Sequence, residues 1–125
     1  MLNHLRQHIA TTLEGARSAT LATSGPAGLL AHVVPCAAKG IQLYLLLPRT
    51  SDHLLNLESD PAVVTTAEWH LRGRARVLST MEWPCALALA AAPGAPWSVL
   101  IEVTPTRVEI AQPEGWGAAE TIDLE

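Results

Sequence analysis

Basic charge is scarce in this chain. Lys39 is its one lysine, and 8 Lys and Arg stand against 12 Asp and Glu, for a net charge of -4. No broad basic field is available to a phosphate backbone, so nucleic-acid partners are not expected. Charge of either sign is sparse at 16%, while 49% of the residues are apolar. That balance excludes a disordered or polar-tail protein. The two cysteines, Cys36 and Cys85, lie far apart with no CxxC spacing, which argues against a metal knuckle or a redox pair. A single disulfide stays open, with free thiols the default of a reducing compartment. No apolar run reaches the roughly 18 residues of a membrane span, and no basic, apolar leader stands at the N-terminus. The run PCALALAAAP (84–93) is too short and is framed by prolines. A cytoplasmic protein with no membrane partner is the expectation.

What is present fits one domain. At 125 residues the chain can bury about two-thirds of its unfolded surface. Leu2, Leu5, Ile9 and Leu13 recur at spacings of three and four, which predicts an amphipathic helix ending near Gly15. SATLAT (18–23) reads as a strand stopped by the turn SGPAG (24–28). LLAHVVPCA (29–37) and IQLYLLLP (41–48) follow as strands around a turn at Lys39 and Gly40, completing a meander. Pro35 inside the second strand suggests an edge, a bulge or a ligand-facing break. After a helix at HLLNLES, AVVTTAEW (62–69) and LRGRARVLS (71–79) read as two more strands, with Gly73 at a bulge or close backbone approach. A third helix is expected over MEWPCALALAA (81–91), capped by Thr80 and anchored by Trp83 and Trp97. WSVLIEVTPTRVEI (97–110) gives one or two strands with an interruption at Thr104 and Pro105, followed by a small, flexible acidic tail over 112–125. Six or so strands with meander connections favour a small barrel with flanking helices, because closure removes exposed edges.

Candidate functional residues come from a few places. Arg72, Arg74 and Arg76 alternate and share one strand face, a solvated or subunit-facing side before it is an anion patch. His4 and His8 lie four apart on the first helix but lack a third ligand, so they read as exposed helix residues and no metal is assigned. His70 reads as an ordinary strand or turn residue. No Ser/His/Asp or Cys/His set and no carboxylate pair specifies catalysis, so the catalytic residues are left unknown. The most informative stretch is YLLLPRTSDHLLNLESDP (44–61), a strand running through an Arg-Thr-Ser-Asp-His turn into a helix. Such a turn can hold an anion on unpaired N–H groups, helped by Arg49, Thr50, Ser51 and His53. It can equally be a surface turn in which Ser51 or Asp52 caps the helix.

The order and wording of ATLATSGPAG, HVVPCA, LYLLLPRTSDHLLNL, DPAVVTTAE, RGRARVLST and EVTPTRVEI resemble the pyridoxamine 5'-phosphate oxidase-like, FMN-binding split-barrel superfamily over nearly the whole chain. The resemblance implies a split β-barrel forming a homodimer, with flavin mononucleotide in clefts at the subunit interface. It places His32, Val33 and Val34 beside the flavin, Leu46, Leu47 and Pro48 along its ring, and Arg49, Thr50, Ser51 and His53 by its phosphate. A position on the fifth strand where relatives can offer glutamine to the ring is here Glu68. Typical members read Ser-Arg-Lys where this chain has Ser51, Asp52 and His53. That exchange removes up to two positive charges and adds a negative one. Each close charge is worth on the order of 1–3 kcal/mol, so flavin affinity is expected to drop.

The implied function is that of an FMN-dependent oxidoreductase acting on a small molecule. The alternative is a non-catalytic binding or sensor protein that has lost tight flavin, or one that uses a deazaflavin or haem, with His53 or the tail as a haem ligand. Pyridoxamine phosphate oxidation itself is not expected, because the segment after Ile110 lacks the arginine of the longer relatives. Trp116, alone in the tail, reads as packing outside the barrel or as covering a partner's cleft.

Overall fold

The computed structural model describes residues 2–79, 82, 97–112 and 115–124. Helix α1 (Leu2–Glu14) is followed by β1 (Ser18–Thr23), β2 (Leu30–Lys39), β3 (Gln42–Pro48), α2 (His53–Leu57), β4 (Ala62–Thr65), β5 (Trp69–Leu78), β6 (Ser98–Gln112) and β7 (Gly115–Asp123). The strands form one antiparallel sheet in the order β3-β2-β1-β4-β5-β6-β7, and a further pairing of β3 with β6 closes the first six into a barrel. β7 is appended outside the closed ring. The expected mainly-β split barrel is therefore the observed fold, with seven strands. The third helix expected over 81–91, with Thr80, Trp83 and Cys85, lies outside the described residues apart from Glu82.

The barrel interior follows from alternation along the strands. Ala19, Leu21, Leu43, Leu45, Leu47, Val64, Leu71, Ile101, Val103 and Val108 point inward and are buried with Trp69. Ile9 and Leu13 bring the apolar face of α1 onto the same core. β3 is buried on both faces: Tyr44 and Leu46 join Leu78 and Leu100 in a second, smaller cluster. An unbroken apolar run such as QLYLLLP has this doubly covered strand as its natural place. Fully burying each of these leucines stabilises the fold by about 2 kcal/mol. Cys36 lies in the core, and burial pushes its thiol up to about 11, so it is protonated and unreactive at neutral pH.

β2 serves two partners in turn. Residues 30–35 pair with β1, from Thr23↔Leu30 to Ser18↔Pro35, and residues 36–39 pair with β3. Pro35, which has no N–H to give, sits at the handover, so the edge reading of this proline holds locally. Among the described residues, the flank of 30–35 away from β1 carries no strand, and this is where the barrel is split.

Several expectations need correction. The strand predicted over 62–69 ends at Thr65. Thr66 makes the turn, its N–H bonding to Trp69 O and its hydroxyl accepting from the N–H groups of Glu68 and Trp69. Of the one or two strands expected over 97–110 the structure has one, β6, of 15 residues, and the interruption expected at Thr104 and Pro105 is an irregularity inside it. Its register shifts opposite Arg72 and Gly73, and a β-carbon at Gly73 would stand 2.5 Å from the Thr104 carbonyl oxygen. Both readings offered for Gly73, a bulge and a close approach, are thus met. The tail expected over 112–125 is not a free tail, since residues 115–123 form β7 against β6. Trp97 is 78% exposed and anchors no core, whereas Trp69 is buried.

Candidate functional site

At the open end of the barrel, the β1–β2 turn, the exposed half of β2 and α2 meet around four polar side chains. Thr23 is the last residue of β1 and continues the inward row of Ala19 and Leu21. His32 shares a face of β2 with Val34 and Cys36, but lies beyond the covered part of the barrel and is exposed. His53 and Asn56 occupy the buried face of the five-residue α2, three apart and so on one side of the helix. His53 is 2% exposed and Asn56 is fully buried.

These four form a chain. His32 Nδ1 lies 2.9 Å from His53 Nε2, and His53 Nδ1 lies 2.7 Å from Thr23 Oγ1. Asn56 Nδ2 donates to Thr23 Oγ1 at 3.0 Å and to the Gly28 carbonyl at 2.9 Å, while Asn56 Oδ1 accepts the Ala27 N–H at 2.9 Å. Asn56 thereby fastens the 24–28 turn. Gly25 and Gly28 both have positive φ there, a conformation that glycine adopts without strain. The two imidazole rings stand edge to face with centroids 5.0 Å apart. Burial, and then the neighbouring His32, lower the His53 pKa, only partly opposed by Asp52, so His53 is neutral at pH 7.

The turn before α2 differs from the anion cradle that its sequence suggested. The Arg49 N–H bonds to Trp97 O, that of Ser51 to Pro48 O, and that of His53 to Ser51 Oγ at 3.3 Å. Three of the amides that a phosphate would need are already engaged. Ser51 supplies the cap, while Asp52 at the N-cap position makes no side-chain cap bond. With five residues α2 carries little dipole. Anion attraction at this end rests instead on the exposed Arg49 side chain, with the Asp52 carboxylate acting against it.

Among the other residues expected at a cofactor, Pro48 at the end of β3 and Thr50 in the turn after it are exposed, and Val33 is exposed on the outer face of β2. Val34, Leu46 and Leu47 have their side chains in the hydrophobic clusters, where they are not available to a ligand. Glu68 is not on the fifth strand: it is exposed in the β4–β5 turn. Since β4 leaves Thr23 behind and runs toward Thr20, that turn lies at the opposite end of β1 from the histidine pair. His53, suggested as a haem ligand, is buried with both ring nitrogens engaged. His8 pairs with Glu120 of β7 at 3.4 Å, and among the described residues no group of three or more His, Cys, Asp or Glu is placed to hold a metal. Arg76 forms ion pairs with Glu82 and Glu102, so the three alternating arginines are not one anion patch.

Thr23 and Asn56 were not singled out from the sequence. The signal available was a threonine at an inward strand position and an asparagine inside the apolar run LLNL.

No protein-family model and no curated protein matches the sequence. Solved structures do. General stress protein 26 from Bacillus anthracis str. Sterne is 19% identical with a TM-score of 0.66, covering 97% of this chain and 99% of that one. A protein related to general stress protein 26, of the pyridoxinephosphate oxidase family, from Clostridium acetobutylicum is 12% identical with a TM-score of 0.67, covering 97% of this chain and 95% of that one. A heme binding protein from Mycobacterium smegmatis is 21% identical with a TM-score of 0.71, covering 94% of this chain and 57% of that one. The chain thus spans little more than half the length of this last protein. At these identities the likeness is one of fold, and it is to the split barrel of the pyridoxamine 5'-phosphate oxidase-like proteins. Among the described residues no helix is long and apolar enough to cross a membrane.

Proposed function

We propose that this chain is a flavin-binding protein that takes flavin mononucleotide at the open end of its barrel, beside His32 and the turn from Arg49 to His53. The observation that carries this reading is the histidine pair. Two residues that the sequence resemblance assigns to one flavin cleft stand 2.9 Å apart, one buried and one facing out. Flavin mononucleotide offers a phosphate and ring carbonyl oxygens, all hydrogen-bond acceptors. His32 and the Arg49 guanidinium are side chains that meet such groups. With three of the turn's amides engaged and Asp52 nearby, the flavin is held loosely and exchanges.

When bound, flavin supplies electron transfer to or from a small molecule, and the chain contributes binding, orientation and exclusion of water. The bare flank of residues 30–35, with Leu29 and Val33 exposed, is suited to a second copy of the chain, which would complete the cleft as a homodimer. A second reading is haem binding. It is favoured by the outward-facing imidazole of His32 and by the M. smegmatis neighbour, which is described as a heme binding protein.

The test is a pair of titrations of the purified chain, one with flavin mononucleotide followed by fluorescence quenching and one with haemin followed at the Soret band. Micromolar flavin quenching supports the proposal. A sharpened, red-shifted Soret band without flavin quenching overturns it in favour of haem, and neither signal overturns both.

A further inference from the structure

Behind His32 runs a buried chain of side chains whose hydrogen-bond direction is fixed at its inner end. The Ala27 N–H can only donate and the Gly28 carbonyl can only accept, so Asn56 has one orientation: Oδ1 toward Ala27 and Nδ2 toward Gly28. The second hydrogen of Nδ2 then goes to Thr23 Oγ1. Thr23 is buried, and its hydroxyl has one hydrogen left to place, for which His53 Nδ1 at 2.7 Å is the acceptor. His53 must therefore carry its own hydrogen on Nε2 and donate it to His32 Nδ1. Neutral His32 is left with its hydrogen on Nε2, the nitrogen that does not face His53. Two backbone groups so determine, through three side chains, the tautomer of an exposed imidazole.

We infer that His32 is held as a hydrogen-bond donor toward the occupant of the open end, with Asn56, Thr23 and His53 as positioning residues, so that the site takes an oxygen acceptor and not a metal ion. Supposing that His32 meets the ligand at all rests on the flavin reading above; the direction of the chain does not. For Nε2 of neutral His32 to coordinate iron, its hydrogen must move to Nδ1. His53 must then hand its own hydrogen to the Thr23 side, and the Thr23 hydroxyl is left buried with a hydrogen and, among the described residues, no acceptor. The lowered pKa of His53 agrees with this arrangement, because a neutral ring is needed to accept on one nitrogen and donate from the other. Phosphate and flavin carbonyl oxygens satisfy His32 as it stands. Haem iron does not.

The experiment is a long-range proton–nitrogen spectrum of the imidazoles in the isotope-labelled full chain at mildly alkaline pH, where the tautomers of neutral rings are read, with Thr23→Val and Thr23→Ser alongside. In the unmodified chain both His53 and His32 are expected protonated at Nε2 and bare at Nδ1. Thr23→Ser keeps that pattern, while Thr23→Val, which has no hydroxyl to donate, leaves both rings as mixtures of tautomers and weakens flavin mononucleotide binding about fivefold. Protonation of His53 at Nδ1 in the unmodified chain overturns the inference, as does a Thr23→Val spectrum indistinguishable from the parent. If Thr23→Val does not fold, the unmodified and Thr23→Ser spectra still decide. Should flavin fail to bind while the tautomers are as expected, the flavin reading falls and the donor role of His32 stands.

Discussion

Gly25 passes so close to Asn56 that a β-carbon on it would lie 2.9 Å from Asn56 Oδ1, and 3.0 Å from Asp60 Oδ2. The turn closes over the asparagine only because the position is glycine, with φ at 153°. Gly25→Ala should therefore destabilise the fold by about 2 kcal/mol, and Asn56→Ala by about 3 kcal/mol, through lost bonds to Ala27, Gly28 and Thr23. Because both changes loosen the same turn, the double variant should cost less than their sum, which urea denaturation of the three variants checks.

Acid should weaken the fold in a window set by His53. Its folded pKa lies below the ordinary 6.5, so between the two values the unfolded chain binds more protons than the folded one. Stability is thus insensitive to this group above pH 6.5 and falls as pH drops from 6.5 toward the lowered folded pKa. His53→Gln should remove that slope from a series of urea midpoints. A slope unchanged by the substitution would assign it to other groups.

Charge at the turn should tune flavin affinity in both directions. Asp52→Arg replaces a repelling carboxylate with a guanidinium and should tighten flavin mononucleotide binding about tenfold, while Arg49→Ala should weaken it by a similar factor. Fluorescence quenching measures both. Unchanged affinity in both variants would move the phosphate away from this turn.

Gly73→Ala tests the bulge. The new β-carbon would meet the backbone of Thr104, which cannot swing aside as a side chain could. A loss of about 3 kcal/mol is expected in thermal or chemical unfolding, large for one methyl group.

The strands up to β3 were legible because glycine and proline punctuate them: SGPAG and Lys39-Gly40 state where the chain turns. The β4–β5 turn was placed at His70 and not at 66–68 because it contains neither residue and is built by the hydroxyl of Thr66 instead. The irregularity beside Thr104-Pro105 was legible from the proline, but whether it ended the strand was not, because the sequence of β6 does not reveal that Gly73, across the sheet, leaves room for a bulge. β7 was hidden because its sequence is glycine-containing and acidic, and its strand character comes from pairing with β6. At the site, His32 and His53 were named from the family-like wording of the chain. Their partners were not, since only burial distinguishes Thr23 and Asn56 from a capping threonine and a surface asparagine. Leu46 and Leu47 went the other way, with positions legible but side chains turned into packing that the sequence does not display.

β6 is hydrogen-bonded to β3, β5 and β7, and among the described residues no other strand has three partners. Synthesis delivers it after β3 and β5, so a nascent chain that has reached Leu78 carries bare edges on both of them. The pair Leu43↔Val103 also spans a long stretch of chain. Closure of such distant contacts is slow, and open edges recruit other chains in the meantime. Truncations before residue 98 should consequently aggregate rather than yield a smaller soluble barrel, and yield in cells should depend on how quickly β6 follows β5.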